Sequence, residues 1–189
     1  MLREACQVAC EWNAAGDHHK LAINLSARQF QSNDLLKTVK QVLAETACRP
    51  EWIELEITES LLLDESGDVL ATLAAFREMG ISIAIDDFGT GYSSLSYLAK
   101  FPIDTLKIDR SFTSQITKKG HHAELVKAII SIAKCLNQQV VAEGAETAEE
   151  VEQLKSYGCH QVQGYFYGKP MPKQAFEAFA AARIYRKVI

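Results

Sequence analysis

The stretch Ile81-Ser82-Ile83-Ala84-Ile85-Asp86-Asp87-Phe88-Gly89-Thr90-Gly91-Tyr92 decides the fold. Ile81–Asp86 reads as a short apolar strand, with two adjacent carboxylates at its end followed by glycines. An apolar strand with so little alternation fits a parallel sheet buried on both faces, with helices supplying the cover. The flanking chain should then alternate helix and strand. Upstream, residues 65–79 show helical spacing, and downstream a short helix falls near 93–99.

Further toward the N-terminus come a strand over Trp52–Thr58 and a helix over 33–47, entered through Ser32 or Asn33 as cap and closed by Pro50. Before these lie the apolar run Leu21–Ser26 and a helix over 1–15, ended by Gly16 and Asp17-His18-His19-Lys20. Toward the C-terminus the pattern gives strand Thr105–Ile108, helix 121–136, strand Gln139–Ala142, helix 147–157, strand Gln161–Phe166 and helix 172–183. Thr147 caps the second of those helices, with Glu150 at the capping-box position. Six strand-like runs separated by helices predict an α/β protein. No long linker or low-complexity stretch divides it, so residues 1–189 are expected to form a single domain.

Two parallel-sheet architectures compete: an open doubly wound sheet and a closed (β/α)₈ barrel. An open sheet concentrates its polar residues at one switch point. Here Asn24, Glu56, Asp86, Lys107, Glu143 and Gln163 stand in or at the end of six successive strands, which makes a ring. Rings belong to barrels. The expected fold is a TIM-barrel-like (β/α)₈ arrangement, incomplete, with about six βα units present and about two absent ahead of the first helix.

Composition is that of a soluble globular domain, at 48% hydrophobic and 23% charged residues. With 20 basic and 24 acidic side chains and no basic run, the chain lacks the charge for broad capture of duplex DNA or anionic membrane. No apolar stretch approaches the ~18 residues that cross a bilayer, and the expected location is the cytoplasm. Five cysteines without a C-x-x-C pair suggest reduced thiols.

The polar residues at the strand ends carry the chemistry. Alternation puts Glu54, Glu56 and Thr58 on one face of their strand. That is either a solvated face or, inside a barrel, carboxylates that need a cation. Asp86 and Asp87 repel each other, and a hard divalent cation such as Mg²⁺ or Mn²⁺ holds such oxygens together. An aspartate capping a turn is the alternative. The glycines after them permit a tight loop, although neither a Rossmann nor a P-loop pattern is present. Lys107 and Asp109 share a strand face, either as a structural ion pair or as groups beside a metal and phosphate. Glu143 ends an apolar strand. Glu146 either joins it or simply precedes the capped helix, where a carboxylate suits the dipole. Gln163 is structural, or it holds a water or a metal-bound oxygen.

In order along the chain, Asn24-Leu25-Ser26, Glu56-Ile57-Thr58-Glu59, Asp86-Asp87-Phe88-Gly89-Thr90-Gly91, Leu106-Lys107-Ile108-Asp109, Ala142-Glu143-Gly144 with Glu146, and Gln163-Gly164-Tyr165 together resemble the EAL-domain cyclic di-GMP phosphodiesterases. The resemblance implies a bacterial signalling domain with a modified TIM barrel that opens cyclic di-GMP to linear pGpG using two Mg²⁺ or Mn²⁺ ions. It implies Asn24, Glu56, Asp86, Asp87 and Glu143 as metal ligands, with Asp86 as the bridge. Lys107 would position phosphate or water, and Gln163 would support the water network. Glu59 would brace the loop of Phe88, Gly89, Thr90 and Gly91, which in the family also links the site to a homodimer. Asp109 and Glu146 would stand close behind these groups. The Glu-Ala-Leu tripeptide that names the family does not occur in the 189 residues. The expectation is therefore little or no turnover by this chain alone, the alternative function being an inactive module that binds cyclic di-GMP or a protein.

Overall fold

A computed structural model describes residues 1–182 apart from residues 15, 17, 31, 33, 64–67, 92–94 and 119. In chain order the described elements are α1 (Leu2–Asn13), β1 (Leu21–Asn24), α2 (Ala27–Phe30), α3 (Leu35–Thr46), a 3₁₀ turn (Pro50–Trp52), β2 (Ile53–Thr58) and a second 3₁₀ turn (Glu59–Leu63). Next come α4 (Asp68–Glu78), β3 (Ser82–Phe88), α5 (Leu95–Lys100), β4 (Thr105–Ile108), α6 (Arg110–Thr113) and α7 (His122–Cys135). The chain continues through β5 (Gln139–Glu143), α8 (Ala148–Ser156), β6 (Gln161–Gln163) and α9 (Lys173–Ala182). Within the first unit the strands lie in chain order, β1-β2-β3-β4. Two compact units are distinguished: Met1–Lys107 with Ala133–Gln139, and Ile108–Ile132 with the chain from Val140 on.

In the first unit β1 pairs with β2 and β2 with β3, all parallel. Ile53, Leu55 and Ile57 on one face of β2 are each only 1% exposed, while on the other face Glu56 is buried, Glu54 half-buried and Thr58 exposed. The helices present apolar stripes at helical spacing: Val39, Val42 and Leu43 on α3, and Val69, Leu73 and Phe76 on α4. Asn13 is buried at the end of α1. Its side-chain amide donates to the His19 carbonyl and its Oδ1 accepts from the His19 N–H, tying the chain into β1. Cys6 and Cys48 are buried and Cys10 half-buried, all reduced.

In the second unit β5 and β6 are parallel, with Glu143 opposite Gln163. The capping box on α8 forms: the Thr147 hydroxyl accepts from the Glu150 N–H, and Glu150 Oε2 accepts from Thr147 N–H at 3.0 Å and from Glu146 N–H at 2.7 Å.

Several boundaries differ from the sequence expectations. The N-cap of α3 is Asp34, without a side-chain cap bond, in place of Ser32; Asn33 lies outside the described residues. Pro50 does not close α3, which ends at Thr46 with Ala47 left-handed at φ 54°; the proline opens the next 3₁₀ turn, where its fixed φ suits the first position. β3 runs two residues beyond Asp86 to Phe88. β6 stops at Gln163 instead of reaching Phe166, because the chain turns at Gly164, whose carbonyl accepts from the N–H groups of Tyr167 and Gly168.

Candidate metal and phosphate site

The first unit assembles most of the acidic residues picked out above. Parallel register places Asn24 of β1 beside Glu56 of β2, and Thr58 beside Asp86 of β3. Lys107 of β4 reaches both carboxylates, with Nζ 2.6 Å from Glu56 Oε1 and 2.9 Å from Asp86 Oδ1. Lys107 and Glu56 are 5% and 7% exposed, so these ions are nearly stripped of bulk water and strongly coupled. Burial pushes the Glu56 carboxyl above its ordinary range, Lys107 pulls it back, and Asp86 and Glu54 push it up again. The net direction is upward because burial, the largest influence, penalises the charged carboxylate more than one ammonium repays. Further cationic charge would therefore be welcome among these oxygens.

The end of β3 has the local geometry that two adjacent aspartates require. Asp87 is left-handed at φ 53°, a conformation aspartate tolerates better than most residues. Its N–H donates to Asp86 Oδ1 at 3.1 Å, and its carbonyl accepts from the Thr90 hydroxyl at 2.9 Å. Asp87 itself is exposed and Asp86 half-buried. Glu59, buried just after β2, accepts at Oε2 from the N–H of Gly89 at 3.0 Å and of Gly91 at 3.2 Å. A Cβ at Gly91 would come within 2.9 Å of the Glu59 carboxylate, so glycine there permits the backbone to lie against it.

One buried carboxylate therefore holds two backbone donors of the Phe88–Gly91 segment, through charge-assisted bonds worth roughly 1.5–3 kcal/mol each. Glu59→Gln is expected to speed amide exchange at Gly89 and Gly91 by roughly ten- to a hundred-fold while leaving β2 protected. Exchange mass spectrometry over residues 86–91 would show this, and unchanged exchange would remove the bracing role.

The second unit carries the remaining groups. Glu143, last in β5, and Gln163, last in β6, are register partners. Asp109 caps α6, its Oδ1 accepting from Ser111 N–H at 2.9 Å, which gives an aspartate at this position a role at the start of the helix. Glu146 pairs with Arg110 at 2.5 Å. Arg110 also lies over the Tyr165 ring, 5.9 Å from its centroid, with Lys169 Nζ 5.5 Å from the same centroid. Gly164 is required where it stands: a Cβ would fall 2.1 Å from the Ala145 carbonyl oxygen.

Sequence reasoning did not single out Arg110, or Thr105 as the donor to Glu54 at 2.8 Å. The signals available were that Thr105 stands two residues before Lys107, hence on its face, and that Arg110 opens a helix directly after a capping aspartate.

Oxygen-rich, carboxylate-dominated groups of this kind suit a hard divalent cation. The sequence matches the EAL domain over residues 1–170, and the chain belongs to that family. Among curated relatives it is 43% identical to the signaling protein YkoW of Bacillus subtilis, over 95% of this chain and 22% of that protein. It is also 43% identical to the cyclic di-GMP phosphodiesterase PdeR of Escherichia coli, over 94% of this chain and 27% of that protein. The chain thus spans about a quarter of the length of these relatives. Among solved structures, the PaMucR phosphodiesterase in complex with c-di-GMP superimposes with a TM-score of 0.88 at 39% identity, covering 93% of this chain and 71% of that one. A manganese/cy-diGMP complex of Klebsiella pneumoniae BlrP1 gives 0.78 at 32% identity, covering 88% of this chain and 43% of that one. The mixed α/β chain, with six strands among the described residues, has an incomplete TIM-barrel-like EAL fold. No helix among the described residues is long and apolar enough to cross a membrane.

Proposed function

We propose that residues 1–189 act as one EAL phosphodiesterase domain, hydrolysing cyclic di-GMP to linear pGpG with two Mg²⁺ or Mn²⁺ ions, in the bacterial cytoplasm and as a homodimer. The observation that carries this is the buried Glu56–Lys107–Asp86 cluster, in which two carboxylates share one ammonium and burial holds the Glu56 carboxyl above its ordinary range. Asn24, Glu56, Asp86, Asp87 and Glu143 would hold the ions, which would supply activation of a water and neutralisation of phosphoryl charge. Lys107 presents its ammonium to a non-bridging phosphate oxygen. Gln163 orients water through its side-chain amide. Glu59 holds the Phe88–Gly91 loop, and Asp109 and Glu146 keep the chain beside Lys107 and Glu143 in place through their cap and ion pair. The family membership and the cyclic di-GMP complexes among the structural relatives, one of them with manganese, support the substrate and the ions.

A second reading is binding of cyclic di-GMP without turnover, favoured by the absence of a Glu-Ala-Leu tripeptide from these 189 residues. One experiment separates them. The 189-residue chain is incubated with cyclic di-GMP and Mn²⁺ or chelator, products are resolved by chromatography, and binding is followed by calorimetry. Mn²⁺-dependent pGpG supports hydrolysis. Binding without product supports the second reading, and neither binding nor product overturns both.

A further inference from the structure

On the face shared with Glu56 and Lys107, β3 presents Ser82, Ala84 and Asp86, since Glu54, Glu56 and Thr58 of β2 are their register partners. β4 lies on the opposite side of β3 from β2. Neighbouring strands are ~4.8 Å apart, so the backbones of β2 and β4 are separated by roughly 10 Å. Two side chains of β4 nevertheless bond to β2. Lys107 Nζ meets Glu56 at 2.6 Å, and the Thr105 hydroxyl donates to Glu54 at 2.8 Å. Both bonds span the intervening strand, at the rows of Ala84 and Ser82.

The two rows differ in how β3 makes room. Ser82 has a small side chain that is itself engaged, its Oγ accepting from Lys20 Nζ at 2.6 Å. Ala84 is fully buried and offers only a methyl group. Lys107 and Glu56 each reach part of the way across that gap, and their ends can meet only if nothing larger than that methyl rises from β3 beneath them. A branched side chain at position 84 would stand where the aliphatic stem of Lys107 passes. Lys107 could then still meet Asp86 on the adjacent strand but would lose Glu56.

Building on the phosphodiesterase reading, we propose that Ala84 is a positioning residue whose small side chain allows Lys107 to span β3 and hold Glu56 and Asp86 at once. It acts only through Lys107. Packing alone would make the methyl group matter equally whether or not the lysine is present.

The test is a double-mutant cycle by thermal melting in chelator, comparing the parent chain, Ala84→Val, Lys107→Met and the double variant. If the valine acts by displacing Lys107, it lowers the melting temperature by roughly 10 °C in the parent and by less than half that when Met replaces the lysine. Equal losses in the two backgrounds would overturn the proposal and leave simple overpacking. Should valine prevent folding, Ala84→Ser is measured through the same cycle, with a smaller shift and the same dependence on Lys107 expected. Acylation of Lys107 under native conditions gives a second readout: the amine becomes more reactive in the Ala84→Val chain and stays protected in a control Ala133→Val chain. Unchanged labelling would again overturn it. None of these measurements involves cyclic di-GMP, so absence of turnover would refute the phosphodiesterase reading without touching this one.

Discussion

Lys107→Met should lower the stability of the metal-free chain by about 3–5 kcal/mol, the usual consequence of removing one partner from a buried ion pair. For a protein of this size that corresponds to a fall in melting temperature of roughly 10 °C. Methionine nearly conserves the volume of the aliphatic stem, so little of the loss would come from packing. Most would come from leaving Glu56 and Asp86 facing each other without the ammonium that lies 2.6 Å from one and 2.9 Å from the other. The direction of the Glu56 shift adds a pH signature. Burial already raises that carboxyl, and removing Lys107 removes its two downward influences. A carboxyl raised in the folded state takes up a proton there before the unfolded chain does, so folding gains stability as pH falls through its folded value toward the unfolded one. The gap between parent and variant should therefore be widest near neutral pH and narrow with acidification. Mn²⁺ should also stabilise the variant more than the parent, since the ion replaces a missing cation. Melts at several pH values with and without Mn²⁺ would decide it. A pH-independent difference of less than about 1 kcal/mol would show that the cluster is solvated after all.

The parts of the fold that were legible in sequence are those where one periodicity ran uninterrupted. β4 occupies Thr105–Ile108 as the pattern indicated, and the capping box of Thr147 and Glu150 forms at the start of α8. Short helices such as α2 and α6 were not legible, because four residues are too few to display a helical period. The end of β6 was misjudged for a non-local reason. Residues 161–166 have strand-like side chains, but Gly164 must lie against the Ala145 backbone, and that neighbour is almost twenty positions away. The same limit applies at the site. Alternation tells which face of β2 carries Glu56 and which face of β4 carries Lys107, whereas the meeting of the two across an intervening strand depends on what β3 places between them. A single methyl at position 84 is invisible to any rule about charge or periodicity.

The largest effect on turnover is expected from Asp86→Asn. Asp86 joins the two halves of the cluster in the first unit: its Oδ1 is 2.9 Å from Lys107 Nζ and accepts the Asp87 N–H at 3.1 Å. Asparagine keeps nearly the same shape and still offers one carbonyl oxygen to the Asp87 N–H, so the left-handed turn should survive and the chain should remain folded. It removes a negative charge and presents an amide that cannot bridge two dications. If a bridging carboxylate supplies about 4 kcal/mol to the transition state through the ions it holds, turnover should fall by roughly 10³-fold. Losing a carboxylate also leaves Lys107 less fully balanced, so the melting temperature in chelator should change by far less than in Lys107→Met, since an ammonium still paired to Glu56 is better satisfied than two carboxylates with no cation. The comparison needs three readings on the same preparations: pGpG formation with Mn²⁺, Mn²⁺ affinity by calorimetry, and thermal stability in chelator. Loss of turnover and of Mn²⁺ affinity with stability retained would assign Asp86 to the ions. Full Mn²⁺ affinity in the variant would instead place the ions elsewhere and leave Asp86 as the partner of Lys107 alone.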